Sequence, residues 1–223
     1  MLISVHIRKC AGTTLRHALA AGFEDRVLFD YGDQIGSTWP SSVARRHSSL
    51  TKAKSKAADL ISRYSIIHGH FYRQKYDFLD TPKRYVTFLR DPVVRVVSNY
   101  AYLKRKPQRR HPDALIVHAL GFSLAEFAAH PDNRNLQRQF LQSSDLGEFS
   151  FVGLVERYED SLTRLSAEIG VALPAIAPQN TNAAANSGYH LSPRDRRLIE
   201  DLNRDDMRLY ERAHARFENL SAA

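Results

Sequence analysis

Leu2-Ile3-Ser4-Val5-His6-Ile7, then Arg8-Lys9-Cys10-Ala11-Gly12-Thr13-Thr14, then Leu15-Arg16-His17-Ala18-Leu19 is the stretch from which the rest of the 223-residue chain is read. Its first part is apolar and β-prone, and its last part suits a helix. Between them lie a lysine, a glycine and two hydroxyls. A strand that turns through small residues into a helix aims several backbone N–H groups at one spot. The helix dipole adds partial positive charge there and Lys9 adds a full one, which suits a phosphate or sulfate. The same residues also fit an ordinary capped strand–helix turn with an exposed lysine.

Reading outward, two later stretches repeat the arrangement. Residues 64–68 form an apolar strand pattern ending in His68-Gly69-His70, and residues 85–89 form a short β-rich run that meets Arg90-Asp91-Pro92. Asp91 suits an N-cap and Pro92 the first helical position, so a helix is expected over 93–104. Further strands are expected at 26–29 and 149–154. Residues 32–46 read as loop, 48–63 as a basic, moderately helical surface, and 104–113 as a charged, proline-containing loop. Helical pattern runs over 114–141 with breaks near Gly121 and Pro131, and over 159–169, where Gly170 stops it. A long loop over 173–189 precedes a region capped by Ser192 that stays helical to Phe217, with one interruption near Asn203.

Strands interleaved with helices predict an α/β fold: a P-loop-like parallel β-sheet flanked by helices, with a helical C-terminal part, in one domain over residues 1–223. Ligands of such sheets sit at the carboxyl ends of the strands. The loops at Lys9, at His68–His70 and at Arg90 all follow predicted strands, so they are expected to converge on one sheet edge.

Composition bounds the partners. Hydrophobic residues make up 43% and charged residues 25%, as in globular proteins generally. Lys+Arg 32 against Asp+Glu 24 gives +8, which points to an anionic partner. The single cysteine, Cys10, excludes an intrachain disulfide and a multi-cysteine zinc site, and a cytoplasmic location is expected. The first apolar segment is short and runs straight into the anion loop, so it is not expected to be a leader. No apolar run approaches the roughly 18 to 20 residues that span a bilayer.

Residues 8–14 are not a Walker A loop, because the lysine precedes the glycine. A loop this short suits one terminal phosphate with its substituent rather than a triphosphate with magnesium. Arg90 and Ser98 form a second candidate anion site, the arginine gripping by a bidentate pair; a structural carboxylate partner for Arg90 is the alternative. His68 and His70, two apart in an extended segment, point the same way. They suit a general base, since imidazole titrates near neutral pH, or a structural role; no third ligand at a diagnostic spacing supports a metal. His6 reads as a packed or hydrogen-bonded core residue of the first strand, and Cys10 as a space-filler. No nucleic-acid-binding module is recognisable, and nucleic acid is not expected as a partner.

These motifs together resemble a family. Residues 6–14, His6 to Thr14, are similar to the 5′-phosphosulfate loop of sulfotransferases that use 3′-phosphoadenosine 5′-phosphosulfate (PAPS), in the branch of the carbohydrate enzymes that includes the uronyl and heparan-sulfate 2-O-sulfotransferases. Residues 88–100, Phe88 to Tyr100, look like that family's 3′-phosphate motif. His68-Gly69-His70 falls where the 2-O-sulfotransferases carry a His-Gly-His with the catalytic base. Residues 151–156 and Leu209-Tyr210 look like weaker signatures. Residues 2–104 carry most of the resemblance.

The resemblance implies a cofactor and a mechanism. PAPS is the sulfuryl donor, with no metal, and a hydroxyl of the acceptor, a glycan or glycoconjugate, attacks sulfur in line. His70 is then the base and His68 assists or orients the acceptor. Lys9 neutralises charge on the bridging oxygen. Arg8, Lys9, Cys10, Ala11, Gly12, Thr13 and Thr14 form the 5′-phosphosulfate site, and Arg90 and Ser98 hold the 3′-phosphate. The family usually has proline at Arg8 and threonine at Cys10; the second change removes a hydroxyl that a phosphosulfate would use. For the acceptor, residues 133–138 and the basic loop 104–110 are candidates, and residues 180–189 are a candidate cover for the nucleotide. Two rival readings remain at this point: a P-loop-type nucleotide or small-molecule kinase, and a non-catalytic polyanion-binding module.

Overall fold

Every residue of β1 (Leu2–Val5) is buried, as a strand covered on both faces requires. It is the middle strand of a five-stranded parallel sheet of order β2-β3-β1-β4-β5. Its neighbours are β3 (Ile66–Gly69) and β4 (Arg84–Leu89), while β2 (Val27–Asp30) and β5 (Phe151–Leu154) form the edges. The computed structural model describes residues 1–105, 112–143, 145–176 and 191–219. The basic loop expected over 104–113 and the long loop over 173–189 therefore lie largely outside the described residues, and the candidate nucleotide cover at 180–189 does so entirely.

The connections are helical. They are α1 (Gly12–Phe23), α2 (Pro40–Lys54), α3 (Ala57–Arg63), α4 (Pro92–Lys104), α5 (Pro112–His118), α6 (Leu124–Ala129), α7 (Leu136–Leu141) and α8 (Tyr158–Ile169), followed by α9 (Pro193–Leu202) and α10 (Arg204–Asn219). Asp91 caps α4 by accepting from Val94 N at 2.9 Å, and Ser192 caps α9 by accepting from Asp195 N at 3.0 Å. One expectation fails at α2. Residues 40–46 are helical, because the proline and serines that read as loop stand at a helix start, where proline at N1 is favourable.

Two apolar clusters hold the layers together. The larger packs both faces of the sheet, with Ile3, Ile66, Ile67, Val86 and Leu154 at its centre. The smaller joins α4, α5, α6 and α9 through Val96, Tyr100, Phe127 and Ile199. α10 packs on β5 and α7, so the helical C-terminal part is fastened to the edge strand that pairs with β4, the strand that Arg90 follows.

Register decides what stands at the carboxyl edge. Val5 pairs with Gly69, and Gly69 with Asp30. The ladder continues one residue further, since His6 N donates to Gly69 O and His70 N to Asp30 O, both at 2.8 Å. Tyr31, His70 and His6 thus stand abreast at the ends of β2, β3 and β1. Phe29, His68 and Ser4 form the row beneath.

Candidate active site

The loop after β1 turns through two residues in the left-handed region, Lys9 at φ 70° and Ala11 at φ 55°. Neither is glycine, and such conformations concentrate where a ligand is held. The first helical hydrogen bond of α1 runs from Leu15 N to Ala11 O at 3.0 Å. No side chain caps this helix and its first turn holds no acidic residue. A helix start of this kind presents its first turn to an anion. Lys9 Nζ lies 4.3 Å from the centre of the Tyr102 ring, on α4.

Arg90, at the end of β4, is tied to this loop: its Nη1 donates to Lys9 O at 3.1 Å. Its buried Nε has no hydrogen-bond partner among the described residues. The Arg90 backbone is clamped by the Gln137 side chain, which accepts from Arg90 N and donates to Arg90 O, both at 2.9 Å. Ser98 is buried on α4, and among the described residues no hydrogen bond joins it to Arg90.

Cys10 is turned away from the anion. Its thiol is buried and faces Gln137 Oε1 at 3.8 Å, and its N–H donates to Ile7 O at 3.1 Å. Burial pushes the thiol up to about 12, so it stays protonated. The side chain at this position thus packs in the core against Gln137. Arg8 extends toward the loop after β2, where a methyl added to Gly36 would lie 3.3 Å from its Nη2.

His6 is packed and hydrogen-bonded as expected, but one residue past the end of β1, where the strand register makes it the third member of an imidazole cluster. The His6 and His68 rings stack at 5.2 Å, with 9° between their planes. His6 and His70 are 4.4 Å apart, and Tyr31 and His70 4.8 Å. The Tyr31 hydroxyl reaches His6 Nδ1 at 3.2 Å. His68 is wholly buried, with Nδ1 2.8 Å from Ser4 Oγ. It therefore offers no surface to an acceptor and supports His6 from below. Loss of water pulls His6 down to about 3, assisted by the Lys9 charge. His68 is lowered well below its ordinary value, first by burial.

Two glycines make this packing possible. A Cβ on Gly12 would fall 1.6 Å from Cε1 and Nε2 of His6, so the ring lies against the first residue of α1. A Cβ on Gly69 would fall 1.7 Å from Asp30 O, the carbonyl that accepts from His70 N. Behind Asp30 stands a buried ionic group. Lys75 Nζ donates to Asp33 Oδ1 at 3.0 Å, to Ser49 Oγ at 2.7 Å, and to Asp30 itself, which also accepts from Tyr76 OH at 2.8 Å. Burial is the main cause of the raised pKa at Asp33, and Lys75 opposes it.

The expected acceptor segment 133–138 divides in two. Asn133, Leu136 and Gln137 are buried, while Arg134 and Arg138 line an open cleft of about 530 Å³ with Tyr72 and Gln139. Tyr72 follows His70 by two residues, and Phe140 on α7 lies 6.1 Å from the His70 ring. A smaller cavity of about 350 Å³, at Met1, Ser65 and Arg84, opens at the opposite end of the strands. Among the described residues no three His, Cys, Asp or Glu side chains form a metal-holding group, and no helix is long and apolar enough to cross a membrane.

The model of the sulfotransferase family matches residues 1–212. The chain belongs to the sulfotransferase family. As a sulfotransferase it moves a sulfuryl group to an acceptor, a reaction that needs an anion seat of the kind at the end of β1. Among solved structures it is similar to the mouse sulfotransferase SULT7A1 complexed with PAP, at 11% identity and TM-score 0.48 over 94% of this chain and 88% of that one. It is also similar to a sulfotransferase from Alicyclobacillus acidocaldarius, at 15% identity and TM-score 0.49 over 96% and 95% of the two chains. A sulfotransferase domain from the curacin biosynthetic pathway aligns at 12% identity and TM-score 0.42, over 94% and 96%. No curated protein sequence matches it significantly.

Proposed function

We propose that this sulfotransferase takes the sulfuryl group of PAPS and transfers it to a hydroxyl of a carbohydrate acceptor in the cytoplasm. The observation that carries the reading is the bond from Arg90 Nη1 to Lys9 O. It ties two cationic strand ends side by side, as a nucleotide with a 5′-phosphosulfate and a 3′-phosphate demands.

In this reading the first-turn N–H groups of α1 and the Thr13 and Thr14 hydroxyls hold the 5′ group. Lys9 neutralises charge arising on the bridging oxygen as the S–O bond breaks, where preorganised charge is most effective. Arg90, with Ser98, holds the 3′-phosphate. The acceptor enters from the cleft of Tyr72, Arg134 and Arg138, whose charge suits a sugar bearing carboxylate or sulfate. His70, two residues before Tyr72 in the chain, takes the hydroxyl proton as oxygen attacks sulfur in line. Adenosine 3′,5′-bisphosphate leaves. His68 acts through the other imidazoles as a positioning residue.

Incubation with labelled PAPS and a panel of glycans, phenols, lipids and small metabolites tests this, with thermal shifts in adenosine 3′,5′-bisphosphate beside it. Label on a glycan and stabilisation by the bisphosphate are expected. His70→Ala is expected to lower turnover by about 10² or more, the scale of a lost general base, with the bisphosphate still bound. Arg90→Ala is expected to weaken adenosine 3′,5′-bisphosphate more than adenosine 5′-monophosphate; equal losses by calorimetry would remove Arg90 from the 3′ site. Salt-sensitive heparin binding without transfer to any acceptor would make the protein a polyanion-binding module instead.

A further inference from the structure

We propose that His6 is a further substrate-contacting residue of the transfer site: held at Nδ1 by the Tyr31 hydroxyl, it donates from Nε2 to the phosphosulfate seated on the first turn of α1. The inference rests on the reading of that loop as the phosphosulfate seat.

Three observations converge on it. The register sets Tyr31, His70 and His6 abreast at three adjacent strand ends, with both backbone bonds of the extended ladder at 2.8 Å. The Tyr31 hydroxyl lies 3.2 Å from His6 Nδ1, which leaves Nε2 as the nitrogen for any other partner. The Cε1–Nε2 edge occupies the space that a Cβ on Gly12 would fill, 1.6 Å from either atom. Of the three imidazoles, His6 is thus the one pressed on the helix start that receives the anion.

The tautomer is part of the proposal. A phenol can donate or accept, and here the Tyr31 hydroxyl donates to His6 Nδ1. The imidazole proton is then on Nε2, facing the loop. Burial keeps the ring neutral, so it serves as a dipolar donor beside the full charge of Lys9. The His70 ring lies 4.4 Å away, centroid to centroid. A sulfuryl oxygen held by His6 and a hydroxyl held by His70 would be neighbours, the proximity that attack on sulfur needs.

The test starts on wild-type protein carrying ¹⁵N-histidine. Long-range ¹H–¹⁵N correlation is expected to show His6 as the Nε2–H tautomer, with that nitrogen shifting when adenosine 3′,5′-bisphosphate is added. His6→Phe is expected to lower turnover about 10²-fold, the effect of one lost donor to developing charge. His6→Gln, whose amide reaches about as far as Nε2, is expected to recover most of it. An Nδ1–H tautomer, or His6 nitrogens unmoved while the bisphosphate stabilises the protein, would overturn the His6 assignment alone. Turnover of His6→Phe equal to wild type would do the same. If the bisphosphate neither stabilises the protein nor shifts any histidine, the phosphosulfate seat falls and the role of His6 with it.

Discussion

His6 shows at the residue scale what a sequence can and cannot reveal. Lys9, Gly12, Arg90 and His70 are legible because each follows a β-prone run and has a chemistry that position explains. His6 is not, because its meaning depends on which strand lies beside it. Ser4-Val5-His6 and His68-Gly69-His70 are both X-x-His patterns, but only the parallel pairing of Val5 with Gly69 sets the rings together. The cluster also has a thermodynamic signature. The folded His6 ring titrates near 3 and its unfolded counterpart near 6.5. Between those values the unfolded chain binds the extra proton, so this residue's contribution to stability is present above pH 6.5 and is lost as the pH falls. Asp33 and Asp206 are shifted upward and act in the opposite sense, so the comparison is made between wild type and His6→Gln. Urea unfolding at pH 6.5, 5.5 and 4.5 is expected to show wild type losing about 1.4 kcal/mol more per pH unit than the variant, one proton's worth. Parallel stability curves would mean that the ring is protonated in the folded protein.

At the scale of the element, α7 carries more than its six residues suggest. The sequence marks residues 133–138 as a candidate acceptor segment, and Arg138 on α7 does line a cleft. The helix's buried side is the less legible half: a glutamine inside a short helix gives no sign that its amide will pair with a strand end 47 positions away. Gln137 N is itself held by Asp206 Oδ2 at 3.0 Å, and Arg138 N by Asp206 Oδ1 at 2.7 Å. The helix is therefore a strut, fixed at its start by α10 and holding Arg90 with its first turn. Gln137→Met keeps the volume and leaves the Arg90 N–H and C=O unpaired, which costs about 2 to 4 kcal/mol. Urea unfolding is expected to show that loss, and calorimetry is expected to show weaker adenosine 3′,5′-bisphosphate binding with adenosine 5′-monophosphate less affected. If both ligands weaken alike, Gln137 is a packing residue without a share in the 3′ site.

For the whole molecule, a parallel sheet is legible because short apolar runs alternate with capped helices, while the order of its strands is not. The fastening of the C-terminal helices is not legible either, since it depends on one buried carboxylate. Asp206 is fully buried and joins α10 to α7 by accepting from Gln137 N and Arg138 N. Burial raises the Asp206 carboxyl, with Arg95 and the two amide donors opposing. Losing the carboxylate weakens the charge-assisted bonds that it accepts from two buried amides, a loss of about 2 to 4 kcal/mol. Asp206→Asn also turns an amide N–H toward a backbone N–H that needs an acceptor. Because α10 packs on β5 as well as α7, the loss is expected to reach the sheet rather than fray one helix. The melting temperature should fall by an amount on the order of 10 °C, with circular dichroism and Trp39 fluorescence moving together. A drop under about 2 °C, or a helix signal that melts before the fluorescence, would show that the terminal helices dock as an independent unit.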